Sequence, residues 1–399
     1  MKLMKLRKGV LAAGVLAAIA AVSTAAVACG SSGSSTPTNT PAPAPTTAAG
    51  ATGAPSEASG SIPADVGKND SAQITGAGST LAGPVYQAWG VNYHNNVAKG
   101  VQLNYQLVGS GAGVQQFTAG TVDFGASDAP MSDQELAAAP DAQEIPTIIG
   151  AAVMTYNLSG VTAPLKLDGP TIAGIYLGTI KKWNDAAITS LNPGVKLPSS
   201  DIQVVYRSDS SGTSYAFTDY LSKVSPEWKS KVGTNKSPNW PVGQGGKGSA
   251  GVTGVVKNTP NAIGYVELNY AVTNKLAFAD IKNPSGAFIT ASIPSSAAAA
   301  DGVTIPPDFR VSITNSANPT AYPISTFTYL LLYKSTGKCS QQTPLIDFLW
   351  WAFHDPAPQK TVTELSFSPL PAKIQPAVDT VLKNLKCDGG TKPSLRTGG

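Results

Sequence analysis

The stretch Ile202-Gln-Val-Val-Tyr-Arg-Ser-Asp-Ser-Ser-Gly-Thr213-Ser-Tyr-Ala-Phe217 decides the fold class. Ile202 to Tyr206 is a short apolar, β-branched run, which reads as a buried strand. Arg207 to Thr213 is a small-polar turn, and from Thr213 to Lys223 the pattern is helical. Strand, turn and helix recur outward from this point. Val101 to Leu107 alternates apolar and polar residues, as a half-buried strand does. Glu144 to Asn157 holds a continuous apolar run suited to a central strand. Helical patterns cover Leu81–Asn95, Ala112–Ala119 and Pro344–His354. Strands alternating with helices predict an α/β architecture over about Ser71–Cys387. No internal repeat or heptad is present. Asp280–Asp308, rich in Ala, Ser and Pro with weak periodicity, is expected to form surface loops.

Two more turns share the grammar of Arg207–Thr213. Thr75-Gly-Ala-Gly-Ser-Thr-Leu81 precedes a helix with Pro84 in its first turn, and Val108-Gly-Ser-Gly-Ala-Gly113 precedes Val114-Gln-Gln-Phe. A helix start presents free N–H groups and a partial positive charge. Glycine lets an anion approach the backbone, and Ser or Thr adds hydroxyl donors. Ordinary capping explains any one such turn. The third is more specific, because the planar guanidinium of Arg207 fits a tetrahedral oxyanion. Asp209 is close enough in sequence to hold it; the plainer alternative is a surface ion pair of little worth. The residues Val122-Asp-Phe-Gly-Ala-Ser-Asp-Ala-Pro130 place Asp128 at a strand end among small residues, whereas Asp123 reads as structural. The Asp-Phe-Gly triplet lacks the His-Arg-Asp loop of a kinase.

The chain has 399 residues, 13% charged, with a formal net charge of +4. Lys2, Lys5, Arg7 and Lys8 carry that excess, and without residues 1–28 the 24 remaining basic residues balance 24 acidic ones. No basic face is left for nucleic acid. Residues 1–28 follow secretory signal grammar: a basic start, the apolar run Val10–Val22, then small residues. Ala26-Val27-Ala28-Cys29 resembles the lipobox of bacterial lipoproteins, with Ala26 where Leu is usual. Lipidation of Cys29 would anchor the chain to the cell membrane. Residues 29–70 then read as the lipidated cysteine and a Gly/Ser and Thr/Pro/Ala tether. In an exported chain Cys339 and Cys387 are expected to pair. His94 and His354 are the only histidines. There is no Gly-x-Ser-x-Gly elbow and no metal-ligand spacing, and Gly243-Gln-Gly-Gly-Lys-Gly-Ser249 lacks the ending of a P-loop. No catalytic site, metal or cofactor is therefore expected.

These motifs together resemble the phosphate-binding (PstS-type) proteins of bacterial phosphate ABC importers. The resemblance runs through Thr75–Thr80, Val122–Asp133, Ile175-Tyr-Leu-Gly-Thr-Ile-Lys-Lys-Trp-Asn-Asp185, Ile188–Pro198, Arg207–Ser214, Trp240–Gly248, Asn261-Ala-Ile-Gly-Tyr-Val-Glu267 and Tyr322-Pro-Ile-Ser-Thr326. It implies a type II periplasmic-binding-protein fold: two α/β domains joined by crossover strands around a ligand cleft. Residues 71–156 plus 320–388 would form domain I, 157–319 domain II and 389–399 a C-terminal tail. It further implies phosphate contacts from Thr80, the Leu81 N–H, Ser110, Asp128, Arg207, Ser211, Gly212 and Thr213, with Asp209 orienting Arg207. The implied partners are inorganic phosphate and the permease subunits of the importer, with the receptor a monomer. A receptor for sulfate or another oxyanion, a secreted phosphatase and an adhesive surface lipoprotein are the rival readings. Asp128 separates the first of these, since only a protonated ligand can donate to a carboxylate.

Overall fold

The computed structural model describes residues 62–63, 65–161 and 163–396. The expected signal segment, Cys29 and the tether through residue 61 lie outside the described residues, whereas Val66 and Asp70, at the expected tether's end, are buried, Val66 in the first core described below. Among the described residues, no helix is long and apolar enough to cross a membrane.

The chain begins with alternating units: β1 (Ser71–Gly78), α1 (Gly83–Asn96), β2 (Gly100–Leu107), α2 (Ser110–Thr118), β3 (Phe124–Ser127) and the short α3 (Asp133–Ala138). It continues into β4 (Ala142–Tyr156), a 15-residue strand buried at every position but Gln143. The middle adds α4 (Gly169–Tyr176), β5 (Gln203–Arg207), α5 (Gly212–Val224), β6 (Gln244–Gly246), α6 (Gly248–Asn258) and β7 (Ala262–Glu267). After a short α7 (Ile293–Ala298), the chain returns through β8 (Ser325–Tyr333) and α8 (Cys339–His354). One sheet runs through the molecule in the order β2-β1-β3-β8-β4-β7-β5-β6. Its ends are parallel; β8 and β4 at its centre pair antiparallel to their neighbours.

Two apolar cores flank the centre of this sheet. The first gathers Val85, Tyr86, Trp89 and Tyr93 of α1 with Leu345, Leu349 and Trp351 of α8. The second gathers Ile172, Ile175 and Tyr176 of α4 with Phe217 and Tyr220 of α5 and Val252 of α6. β4 feeds both: Ile145, Ile148 and Ile149 belong to the first core, Ala151 to Met154 and Tyr156 to the second. β8 recrosses in the opposite sense, from Tyr322 and Ile324 to Phe327, and Ser325 pairs with Ala151. The lobes thus meet at two neighbouring extended strands.

Asp280–Asp308 is not a run of surface loops. Asp280–Lys282 pairs with Lys166–Leu167 and Phe288–Ile289, and Ser292 and Ser295 cap α7 reciprocally. Ala298, Ala299 and Ala300 are buried in the first core with Phe309 and Ile313. Alanine carries a weak periodic signal, yet its small side chain lets backbone pack closely against a core. This stretch thus packs on the first core before the chain rejoins the second at Tyr322 and crosses in β8. α8 also starts five residues before Pro344, at Cys339. That first turn is fixed from outside, by the Cys339–Cys387 disulfide and by Gln342 Nε2 donating to the Tyr333 carbonyl at 3.1 Å.

Candidate functional site

The quoted turn sits where β5 meets α5, and the other two turns face it across the cleft. Ser211 caps α5 by accepting from the Ser214 N–H at 3.2 Å. Gly109, at φ 90°, opens α2, and Pro84 pre-sets the first turn of α1. Gly212 shows how closely the lobes approach. A Cβ there would lie 2.5 Å from Ser110 Oγ and 2.6 Å from both Asp128 Cβ and the Asp128 nitrogen.

Arg207 is buried and its guanidinium is held in a fork. Nε donates to Asp209 Oδ1 at 2.8 Å and Nη2 to Asp209 Oδ2 at 2.6 Å. Nη1 reaches Ser249 Oγ at 3.2 Å and Thr213 Oγ1 at 3.4 Å. Burial opposes both charges of this pair, but their mutual hydrogen bonds and attraction prevail. The Asp209 carboxyl is held below the usual carboxylate range and the Arg207 guanidinium above its usual value. The strand end is fixed from behind: Tyr265 Oη accepts from the Arg207 N–H at 3.0 Å and pairs with Ser214 Oγ at 2.6 Å. The Tyr265 ring stacks on Phe217 at 4.4 Å.

Asp128 follows β3 and is fully enclosed. Thr328 Oγ1 donates to Oδ1 at 3.0 Å, Ser110 Oγ donates weakly to Oδ2 at 3.4 Å, and Ser79 Oγ makes a short bond to Oδ1. Burial lifts its pKa most. The Ser79 bond opposes this, the charge of Glu267 adds to it, and Thr328 and Arg207 oppose it. The result is a carboxyl at about 7 instead of 3.8. Such a group stands between its two protonation states near neutral pH.

The remaining expected residues join the same network. Thr80 Oγ1 lies 2.7 Å from Ser249 Oγ, bridging the two lobes. The Leu81 N–H donates to Ser79 Oγ at 3.0 Å, and the Leu81 side chain is buried in the first core. Thr213 Oγ1 donates to Glu267 Oε1 at 2.6 Å. Thr80, Ser110, Asp128, Asp209, Arg207, Ser211, Gly212 and Thr213 are therefore brought together. Cys29 lies outside the described residues. Of the histidines set aside, His94 Nδ1 pairs with the Val101 carbonyl and His354 packs against Trp350 beside Asp379. Among the described residues, no group of three His, Cys, Asp or Glu side chains can hold a metal ion.

Sequence reasoning missed Ser79, Ser249, Glu267 and Thr328. Ser249 carries a signal: Gly246-Lys-Gly-Ser249 is a fourth small-polar turn opening a helix. Ser79 lies inside a quoted turn. Glu267 closes the quoted stretch Asn261–Glu267 and Thr328 sits inside a strand, and neither position by itself points to the site.

Two lobes, two crossing strands and a polar cleft facing four helix starts define a binding protein of the bilobal type. Residues 44–355 match the model described as the PBP superfamily domain. The chain is 42% identical over 326 residues to a phosphate-binding protein PstS of Xylella fastidiosa strain Temecula1, covering 81% of this chain and 88% of the relative. It is 44% identical over 304 residues to PstS of Pasteurella multocida, covering 75% and 87%. The chain belongs to this family of PstS phosphate-binding proteins. A solved phosphate-bound periplasmic phosphate-binding protein, PfluDING, shares the fold with a TM-score of 0.63 at 24% identity, covering 77% of this chain and 93% of that one.

Proposed function

We propose that this chain is an extracytoplasmic receptor, not an enzyme, that captures inorganic phosphate in the cleft and delivers it to the permease of an ABC importer. The convergence of Arg207 and Asp128 on one enclosed site carries this reading. Arg207, locked by Asp209, supplies a fixed positive charge that loses little entropy on binding. The N–H groups at the starts of α1, α2, α5 and α6, with the hydroxyls of Thr80, Ser110, Ser211, Thr213 and Ser249, surround an oxyanion with donors. Asp128 plays the opposite part. As a carboxylate it can only accept, so it selects an anion that still carries a proton. Sulfate brings none, and a like-charged contact in an enclosed site costs several kcal/mol, on the order of 10³-fold in affinity. Closure of the lobes excludes water and strengthens each bond.

Residues 71–156 plus 320–388 would form the first domain and 157–319 the second, and the receptor would act as a monomer. Cys29 would carry the lipid anchor, with the following residues as its tether. Isothermal titration with phosphate, arsenate and sulfate tests the binding reading; equal affinity for phosphate and sulfate would refute the role of Asp128. Metabolic labelling with a palmitate analogue, in the wild type and Cys29→Ala, tests the anchor.

A further inference from the structure

Among the described residues, the ion pair of Lys236 Nζ with Glu135 Oε1 joins the two lobes beside the binding turns. Glu135 stands on α3 of the first lobe. Lys236 lies in the second, on the loop between α5 and β6. Both side chains are mostly buried, 24% and 17% exposed, so bulk solvent screens the pair less than a surface bridge.

Both partners are set in place by other bonds. Glu135 Oε2 accepts from the Ser132 N–H at 2.9 Å and from Ser132 Oγ at 3.1 Å, completing the capping box of α3. Its rotamer is fixed before Lys236 arrives, which lowers the entropy cost of pairing. On the other side, the loop is fastened to α5. The Asn235 N–H donates to Thr218 Oγ1 at 3.0 Å, and that hydroxyl donates to the Asn235 carbonyl at 3.1 Å. The Lys236 carbonyl accepts from the Ser211 N–H at 2.9 Å. Ser211 is the cap of α5 and borders the anion turn. One residue therefore grips the opposite lobe with its side chain and the binding turn with its backbone. Nearby, the Gly111 N–H donates to the Ser210 carbonyl at 3.0 Å, again across the lobes.

We propose that Lys236 and Glu135 form an electrostatic latch over the cleft, positioning residues that set how long the captured anion stays bound. This rests on the phosphate-receptor reading above. The pair forms only when the lobes meet, so it acts on the closed state and therefore on release. The two paired side chains bond to none of the groups assigned to the anion, and the pair acts through the bond from the Ser211 N–H to the Lys236 carbonyl.

The test is a chase of labelled phosphate from the full chain, comparing wild type with Lys236→Met, Glu135→Gln and the double variant. Glutamine still completes the capping box, and methionine keeps the aliphatic stem. Each single variant should release phosphate about fivefold faster, as expected for a pair worth ~1 kcal/mol, with little change in association rate. The double variant should be no faster than either single one, and Lys236→Arg should restore slow release. The ligand-free melting temperature should stay put, because the latch belongs to the closed state. Unchanged release in Lys236→Met overturns the latch, as does faster release with an equal loss of ligand-free stability. If Glu135→Gln does not fold, Lys236→Met and Lys236→Arg decide. A wild type that binds no phosphate would instead refute the receptor reading.

Discussion

Asp128→Asn should make the ligand-free protein more stable while spoiling its selectivity. The carboxyl titrates at 3.8 when free and at about 7 in its enclosed site. Between those values the folded state holds more protons than the unfolded one, so rising pH erodes stability across this window. Fully ionised, the group costs about 4 kcal/mol relative to an unburied aspartate. Asparagine is nearly isosteric, is always neutral and keeps an oxygen for Ser79 and Thr328. The variant should therefore gain stability at pH 8, on the order of 4 kcal/mol less whatever hydrogen bonding the amide loses, and almost none near pH 4. Calorimetric unfolding without phosphate across pH 4–8 measures this. Sulfate affinity measured by titration calorimetry should rise at least about tenfold, because the repelling charge is gone. A variant no more stable than wild type at pH 8 would show that Asp128 bears no desolvation cost. An unaltered preference for phosphate over sulfate would show that Asp128 does not sense the ligand's proton.

Arg207→Ala should weaken phosphate binding at least about tenfold and destabilise the fold, since Asp209 then keeps a partly buried charge without its partner; titration and unfolding report the two losses separately. Gly212→Ala places a methyl 2.5 Å from Ser110 Oγ and 2.6 Å from Asp128 Cβ, so it should wedge the lobes apart. Small-angle scattering with phosphate should then show a larger radius of gyration than in wild type, with affinity lost. Reducing the Cys339–Cys387 bond, which spans 48 residues, should lower stability by about 4 kcal/mol on loop entropy. Phosphate affinity below the lowered melting temperature should be unchanged, as neither cysteine approaches the cleft.

Much of the site is legible because its chemistry is local. A turn of Gly, Ser and Thr at a helix start has few uses, and Arg207 beside one narrows them further. The same locality kept Ser249 within reach, since it opens a helix with the same residues. Glu267 ends β7 and Thr328 lies inside β8, where alternation alone would explain a polar residue; only the pairing of distant strands brings them to Thr213 and Asp128. The strands at 101–107, 144–157 and 202–206 are readable from apolar pattern within one or two residues. The packing of Ala298–Ala300 in the first core is not, because alanine says little about which core it enters. The division of β4 between two cores is likewise invisible in a uniformly apolar run.

The placement of Asp128 couples selectivity to the crossing strands. Thr326 Oγ1 donates to the Asp128 carbonyl at 3.0 Å and Thr328 Oγ1 to its carboxylate. Both threonines follow Ser325, the residue of β8 that pairs with Ala151 at the crossing. On the adjoining strand a Cβ at Gly150 would meet Leu81 Cδ2 at 2.9 Å, so the side chain behind the first anion turn packs directly under the crossing. Asp128 and Leu81 are thus both held by residues next to the crossing, where a rotation of the lobes about these two strands would act. An anion that satisfies the carboxylate favours the closed arrangement over an open one. An anion without a proton leaves Asp128 unpaired in that same arrangement and so opposes closure. Selection and closure are then one equilibrium, and a substitution at Thr326 should alter both together.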